Sequence, residues 1–117
     1  MKNIVIILSA LFLASCKIDT DTLINVTETY NVSITENGSP VNEYILKPGT
    51  EKHAMFVSWF RNNSTGWEPT PPTFVPRIIV KGSNFSLNIL GSHVILNYKE
   101  GQFVKDIKPE EYAYLLQ

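Results

Sequence analysis

The side chains that could hold a metal ion are few and scattered along the chain. His53 and His93 are the only histidines. A zinc site needs three or four ligands of the His, Cys or carboxylate type. Glu51 or Glu100 could supply a third ligand if the two histidines met across a sheet, but no tight ligand spacing supports such a site. The sequence therefore predicts no metal.

Motifs for covalent or acid–base catalysis are equally weak. A hydrolase triad needs a serine, a histidine and an acid that converge at one point, and the chain has neither a Gly-x-Ser-x-Gly turn nor a Ser-x-x-Lys pair. Glu110 and Glu111 are adjacent, and neighbouring side chains diverge on a helix. There is no glycine-rich phosphate loop. We therefore expect a protein that is not an enzyme and needs no cofactor.

Cys16, the only cysteine, stands at the end of an apolar run. Lys2 precedes a stretch of aliphatic residues from Ile4 onward, and the run closes with Leu13-Ala14-Ser15-Cys16. This pattern resembles the signal peptide of bacterial lipoproteins, whose lipobox is Leu-Ala-(Gly/Ala/Ser)-Cys. The apolar stretch is also well short of the roughly 20 residues that a transmembrane helix needs.

The resemblance implies a lipid anchor and a location in the cell. Residues 1–15 would be a signal peptide, removed just before Cys16, whose sulfur would carry a diacylglycerol and whose amine would be acylated, for instance with palmitate. In the enterobacterial sorting pattern, an aspartate after the cysteine retains a lipoprotein at the inner membrane. Lys17 therefore favours the cell outer membrane, facing the periplasm. Lipidation would also consume the only thiol, which leaves no disulfide.

Composition limits the size of the domain and its partners. The chain has 117 residues and a formal net charge of -1, with charges scattered singly. No basic patch is present that could bind a nucleic acid. Residues 16–22 are predicted to be the lipidated cysteine and a polar tether, which would reach about 20 Å when extended. Residues 23–117 are long enough for one domain with a modest core.

The pattern of the domain is that of a β protein. Apolar residues alternate with polar ones from Ile24 to Ile34, with Glu28 as a break that marks either a bulge or the point where one strand becomes two. Asn37-Gly38-Ser39-Pro40 predicts a turn. Further strands are predicted at 41–47, 53–60, 77–81, 85–90, 93–98 and 103–107. The tail from Pro109 predicts one or two helical turns, with Tyr112, Leu115 and Leu116 on one face.

These short strands, separated by glycine, asparagine and proline, predict an all-β fold. An antiparallel sandwich or a small barrel fits the spacing, and an immunoglobulin-like β-sandwich with a short C-terminal helix is the preferred form. His53 to Phe60 is apolar on both faces, as in a central strand of such a sandwich.

The segment from Trp59 to Phe74 has two interpretations. It carries four large aromatic rings, and prolines stiffen its second half. A stiff loop loses little entropy on binding, and aromatic residues dominate binding hot spots, so Trp67 and Phe74 are candidate partner-binding residues. Alternatively, these rings close the open end of the sandwich.

The resulting functional hypothesis is a membrane-anchored lipoprotein of the bacterial envelope that works by binding a protein partner. One form of it is an assembly module of a secretion or conjugation apparatus. The alternative is a prophage or defence lipoprotein, a superinfection-exclusion or immunity protein that blocks an incoming effector. Both hypotheses are analogies that rest only on the predicted fold and the predicted location of the protein.

Overall fold

The computed structural model describes residues 17–70 and 75–117. Seven strands and three short or medium α-helices make up this part of the chain, and the last helix continues into a 3-10 turn. In chain order they are α1 (Thr20–Leu23), β1 (Tyr30–Glu36), β2 (Ser39–Leu46), α2 (Glu51–Asn62), β3 (Glu68–Pro69), β4 (Ile78–Lys81), β5 (Phe85–Ile89), β6 (His93–Tyr98), β7 (Gly101–Asp106), α3 (Pro109–Tyr112) and the 3-10 turn (Ala113–Leu116).

All seven strands belong to one antiparallel sheet with the order β2-β1-β4-β5-β6-β7-β3. Four of the strand pairs are hairpins between consecutive strands, namely β1/β2, β4/β5, β5/β6 and β6/β7. The turn between β1 and β2 places Asn37 and Gly38 at φ angles of 53° and 82°. Both angles lie in the left-handed region that a tight hairpin turn requires, which confirms the turn predicted at this position. β1 lies between β2 and β4, so its ladder is satisfied on both sides.

One face of the sheet carries the core. Successive strand residues point to opposite faces, so Tyr30 and Val32 on β1 lie on the same side as Val80 on β4 and Leu87 on β5. These side chains are almost fully buried. They pack with α1, α2, α3 and the segments beside them into one hydrophobic cluster. The core therefore lies between the sheet and a layer of helices.

Residues 51–62 form a helix, so the strand predicted at His53 to Phe60 is wrong. The Thr50 hydroxyl accepts a hydrogen bond from the backbone N–H of His53 and so caps the helix N-terminus. The buried positions of α2 are 53, 56, 57 and 60, which share one face at the helical period of 3.6 residues. The same residues look apolar on both faces of a strand because a period of two distributes them over both sides.

An aromatic cluster joins α2 to the sheet. The ring centroids of Phe60 and Phe85 are 5.0 Å apart, and those of Tyr30 and Phe56 are 5.4 Å apart. Each such pair adds about 0.5–1.5 kcal/mol beyond the burial of its area. The Tyr30 hydroxyl also accepts a hydrogen bond from the Asn25 N–H and donates one to the Asn25 carbonyl. The cluster therefore fixes the helix, the sheet and the segment before β1 relative to one another.

The C-terminal helix is docked, as a helix this short must be in order to persist. Tyr112 and Leu115 are buried, and Leu116 is partly exposed. The Tyr112 hydroxyl donates to the Gly91 carbonyl, and the Tyr44 hydroxyl donates to the Leu115 carbonyl. The tail therefore contacts β2 and the turn between β5 and β6.

The prediction of a small antiparallel all-β fold that ends in a short helix is confirmed. Its layers differ in detail from the predicted immunoglobulin-like sandwich, because the strands form one continuous sheet and α2 supplies the layer that covers its inner face. β1 begins at Tyr30, so the alternating stretch before it, from Ile24, is a turn region. The other predicted strands agree with β2, β4, β5, β6 and β7 to within two residues at either end.

The tether predicted at residues 16–22 is wrong for its described part, residues 17–22. Ile18 is 2 % exposed and belongs to the hydrophobic cluster, and Thr20 is buried. The Ile18 N–H donates a hydrogen bond of 2.7 Å to the Ser64 carbonyl, just beyond the end of α2. The physical reason is that one isoleucine in a polar segment gains more from a core pocket than from solvent. The domain therefore begins at Ile18.

Candidate functional site

Two of the three residues singled out in the sequence lie outside the described part of the chain. They are Cys16, together with the signal peptide at 1–15, and Phe74. The third, Trp67, is described and lies at 0 % exposure inside the hydrophobic cluster. The prediction that Trp67 contacts a partner at an exposed surface is therefore corrected.

The environment of Trp67 explains its burial. Its indole Nε1–H donates a 2.6 Å hydrogen bond to the Asn63 carbonyl, so the polar end of the ring is satisfied inside the protein. Trp59 is half-buried and donates its own Nε1–H to Glu111. Both indoles thus fill space between α2 and neighbouring elements. This arrangement agrees with the alternative that the aromatic segment closes the core.

The two histidines lie on different elements and make separate contacts. His53, on α2, is buried, and its ring stacks on Tyr30 with centroids 5.5 Å apart. Its Nε2 lies 2.7 Å from the Glu28 carbonyl, which can only accept, so Nε2 carries the proton. Within residues 17–70 and 75–117, no group of three His, Cys or acidic side chains is arranged to hold a metal ion.

Among residues 17–70 and 75–117, His93 forms a cluster with Ser92 and Asp106 that resembles a catalytic triad in residue type. Its Nδ1 lies 3.2 Å from the Ser92 hydroxyl, and its Nε2 lies 3.4 Å from the Asp106 carboxylate, the register partner of His93 on β7. The side chains of His93 and Asp106 are 55 % and 94 % exposed. A triad acid is normally buried, where its charge is not screened by water. This cross-strand contact is open to solvent and contributes little.

The shifted pKa values belong to groups with structural partners. Burial raises the pKa of Tyr30, Tyr44 and Tyr114, so these phenols stay neutral. The pKa of the Glu111 carboxyl is lowered chiefly by a hydrogen bond from the Lys108 N–H, and Trp59 adds a second donor. These charges and hydrogen bonds hold α3 against α2. They explain the packing of the tail and do not form a proton-transfer site.

The N-terminal end of the domain is a compact polar surface around Ile18. Lys17, Asp19, Asp21, Arg61 and Ser64 line a shallow depression of about 500 Å³ there. Asp21 Oδ1 lies 3.5 Å from the Arg61 Nε. The two basic and two acidic side chains cancel in net charge. We call this area the anchor-end surface, because it lies directly after Cys16 in the sequence.

The outer face of α2 is the second notable surface. Two open grooves, of about 590 and 500 Å³, run along its two sides. Their shared wall, which we call the α2 ridge, consists of Glu51, Ala54, Ser58 and Asn62. Exposed apolar side chains border it on either side, namely Val26 at 51 % and Met55 at 42 % exposure. Small ridge residues between grooves allow another chain to approach the helix closely.

Sequence reasoning missed both surfaces for identifiable reasons. The assignment of residues 53–60 to a strand hid the outer helix face, because a run this short fits the 3.6-residue period of positions 53, 56, 57 and 60 no better than it fits a strand. The polar composition of 17–22 hid the docking of Ile18. The sequence signal there was a single apolar residue before Asp19-Thr20, a polar pair that is typical of a helix start.

Among the described residues, no helix is both long enough and apolar enough to cross a bilayer. The chain was also compared with protein-family models, with curated proteins and with solved structures, and no match was found in any of the three comparisons. The function proposed next therefore depends on the chain's own residues and geometry.

Proposed function

We propose that this protein is a lipid-anchored lipoprotein of the bacterial envelope whose small β domain is a non-catalytic binding or assembly module. The observation that carries the proposal is the Leu13-Ala14-Ser15-Cys16 sequence at the end of a short apolar run. Lys17 favours the outer membrane, with the domain facing the periplasm. The folded domain begins at Ile18, two residues after the cysteine that would carry the lipid.

The chemistry of the anchor supports stable membrane association. Each buried CH₂ of an acyl chain contributes about 0.8 kcal/mol, and a single chain holds a protein only marginally and reversibly. A diacylglycerol on Cys16 supplies two chains, and an acylated amine supplies a third. The anchor alone is then sufficient, and no basic surface is needed to supplement it.

The α2 ridge is the surface that we assign to the protein partner. Val26 and Met55 are large apolar side chains that stay exposed in the folded domain, and the grooves beside them have mostly apolar walls. Exposed apolar side chains beside a groove are the chemistry that protein contact sites use. A partner that belongs to a secretion or conjugation apparatus fits an assembly role.

The lipid anchor is tested by Cys16→Ser. We expect the unaltered protein in the membrane fraction to lack residues 1–15 and to carry a diacylglycerol on Cys16, because the signal is cut only after the sulfur is modified. Cys16→Ser should retain residues 1–15 and carry no lipid. Lys17→Ala is the matched control and should be processed normally. Intact-mass spectrometry distinguishes these forms, and a bare cysteine in the unaltered protein would contradict the proposal.

The partner surface is tested by photo-cross-linking in cells of the native host. We expect a photoreactive phenylalanine derivative at Met55 to cross-link one protein strongly, because this side chain borders the α2 ridge. The same derivative at Glu100, an exposed position in the turn between β6 and β7 without an exposed apolar neighbour, should give at least five-fold less product. Mass spectrometry of the product separates an apparatus component from an incoming effector. Equal cross-linking at both positions, or none at Met55, counts against the ridge.

A further inference from the structure

The distance between the lipid and the folded domain is much shorter than the polar sequence after Cys16 suggests. Only Lys17 stands between Cys16 and Ile18. Ile18 is buried in the core and its N–H is bonded to the Ser64 carbonyl, so its position in the domain is fixed. Two residues of fully extended chain span about 7 Å. Residues 16–22 would have reached about 20 Å as a free tether.

The distance from Cys16 to Ile18 can be compared with the thickness of the headgroup layer of a bilayer. The polar headgroup layer on each side of the hydrocarbon core is about 5–8 Å thick. A diacylglycerol holds the Cys16 sulfur at the boundary between that layer and the acyl chains. A domain that begins at most about 7 Å away starts inside this layer or at its outer limit, so its nearest surface contacts the headgroups.

The structure shows which surface this is. The side chains nearest to the start of the domain are those of the anchor-end surface, at Lys17, Asp19, Asp21, Arg61 and Ser64. α1 turns back over the end of α2 through the Asp21–Arg61 ion pair, so the whole patch is held by folded elements. Its two positive and two negative side chains neither attract nor repel anionic lipids strongly.

We propose that the domain is held directly against the bilayer, with the anchor-end surface in the phospholipid headgroup layer and the β2 edge directed away from it. This inference rests on the lipid anchor proposed above. The orientation follows from the sheet order. The Lys105 ammonium on β7 donates a hydrogen bond to the Thr65 carbonyl, next to Ser64, so β7 lies beside the anchor-end surface. β2 lies five strands away from β7 in the sheet. At about 4.8 Å per strand, β2 is roughly 24 Å across the sheet from β7.

The orientation has a consequence for partner capture. The α2 ridge runs along the same helix that ends at the anchor-end surface, and Ser58 is only one turn from Arg61. At a rise of about 1.5 Å per residue, the centre of the ridge is on the order of 10 Å from the headgroups. A partner that binds the ridge is then one that is itself at the membrane surface.

Quenching by labelled lipid tests the orientation. The mature lipidated protein is placed in vesicles of phosphatidylethanolamine and phosphatidylglycerol that contain a lipid with a nitroxide on its headgroup. Because the lipid occupies the Cys16 sulfur, a cysteine introduced at Asp19 or at Glu43 is the only free thiol and takes a fluorophore specifically. We expect the label at Asp19→Cys to be quenched at least three-fold more than the label at Glu43→Cys, at low and at high salt alike.

A variant with a longer segment after Cys16 tests whether the short distance to the lipid causes the orientation. Twelve glycine and serine residues inserted between Cys16 and Lys17 add a flexible coil of about 20 Å. The insertion should lower the quenching at Asp19→Cys to the level at Glu43→Cys. Thr65→Cys, at a second exposed position near Ser64, should behave like Asp19→Cys, and far-ultraviolet circular dichroism confirms that each variant is folded.

The outcomes are distinct. Equal quenching at Asp19→Cys and Glu43→Cys, or quenching that survives the insertion, overturns the orientation while leaving the lipid anchor in place. A protein that does not float with the vesicles and shows no lipid in its intact mass overturns the anchor itself, and the orientation with it.

Discussion

Trp67→Ala should lower the free energy of unfolding of the domain by about 3–5 kcal/mol, the usual cost of removing a buried aromatic ring. Trp67 is fully buried, and its Nε1–H satisfies the Asn63 carbonyl in the turn after α2. The substitution leaves a large cavity and removes a hydrogen bond at once. Small domains have total stabilities of about 5–15 kcal/mol, so the loss is a large share of the whole.

Urea unfolding of residues 17–117, followed by circular dichroism, measures this loss. Trp59→Ala is the matched control, because Trp59 is also an indole with a bonded Nε1–H but is only half-buried. It should cost less than half as much as Trp67→Ala. A loss below about 1 kcal/mol for Trp67→Ala would show that this ring is not a core residue and would restore it as a candidate surface contact.

Ile18→Asp is the second substitution with a large expected effect. Removing a buried isoleucine side chain costs about 2–5 kcal/mol, and a carboxylate cannot enter the core without leaving water. We therefore expect the segment 17–24 to leave the domain, with a loss of at least about 3 kcal/mol in stability. Lys17→Asp, which changes the charge by two units instead of one but at an exposed neighbour, should change stability by less than about 0.5 kcal/mol.

Two measurements check this prediction. Urea unfolding reports the global loss, and amide hydrogen exchange reports the local release, since the N–H groups of Ile18 and Ile24 are both bonded in the folded domain. Both amides should exchange much faster in Ile18→Asp than in Lys17→Asp. If Ile18→Asp leaves them protected, the N-terminal segment is held by its own hydrogen bonds, and burial of Ile18 is not its cause.

Together the two substitutions separate the role of the central core from that of the N-terminal segment. Trp67 belongs to the core that the sheet and α2 enclose, whereas Ile18 ties the start of the domain to that core. Loss of Ile18 would also lengthen the free chain after Cys16 toward the reach of a true tether. On the proposed lipid anchor, Ile18→Asp should then abolish the proposed orientation at the membrane even where the domain stays folded.

The contact of Ser92, His93 and Asp106 shows why residue types alone are a poor guide to chemistry. Ser92 and His93 are neighbours in the sequence, and strand register brings Asp106 opposite His93. The sequence contains all three but gives no sign of their meeting. Their exposure to water, which only the folded structure reveals, distinguishes a cross-strand surface contact from a desolvated catalytic site.

The local signals in the sequence were sufficient to establish most strands, the Asn37–Gly38 turn and the helical tail, because period-two alternation, left-handed φ preferences and a leading proline act within a few residues. Only the tertiary structure decided that residues 51–62 are helical, that Trp67 is internal and that Ile18 is docked. Each of these three features depends on the residues that pack against it in the core. A short apolar run suits a strand or a helix equally well. An isolated apolar side chain has no preferred position until the folded core provides a pocket for it.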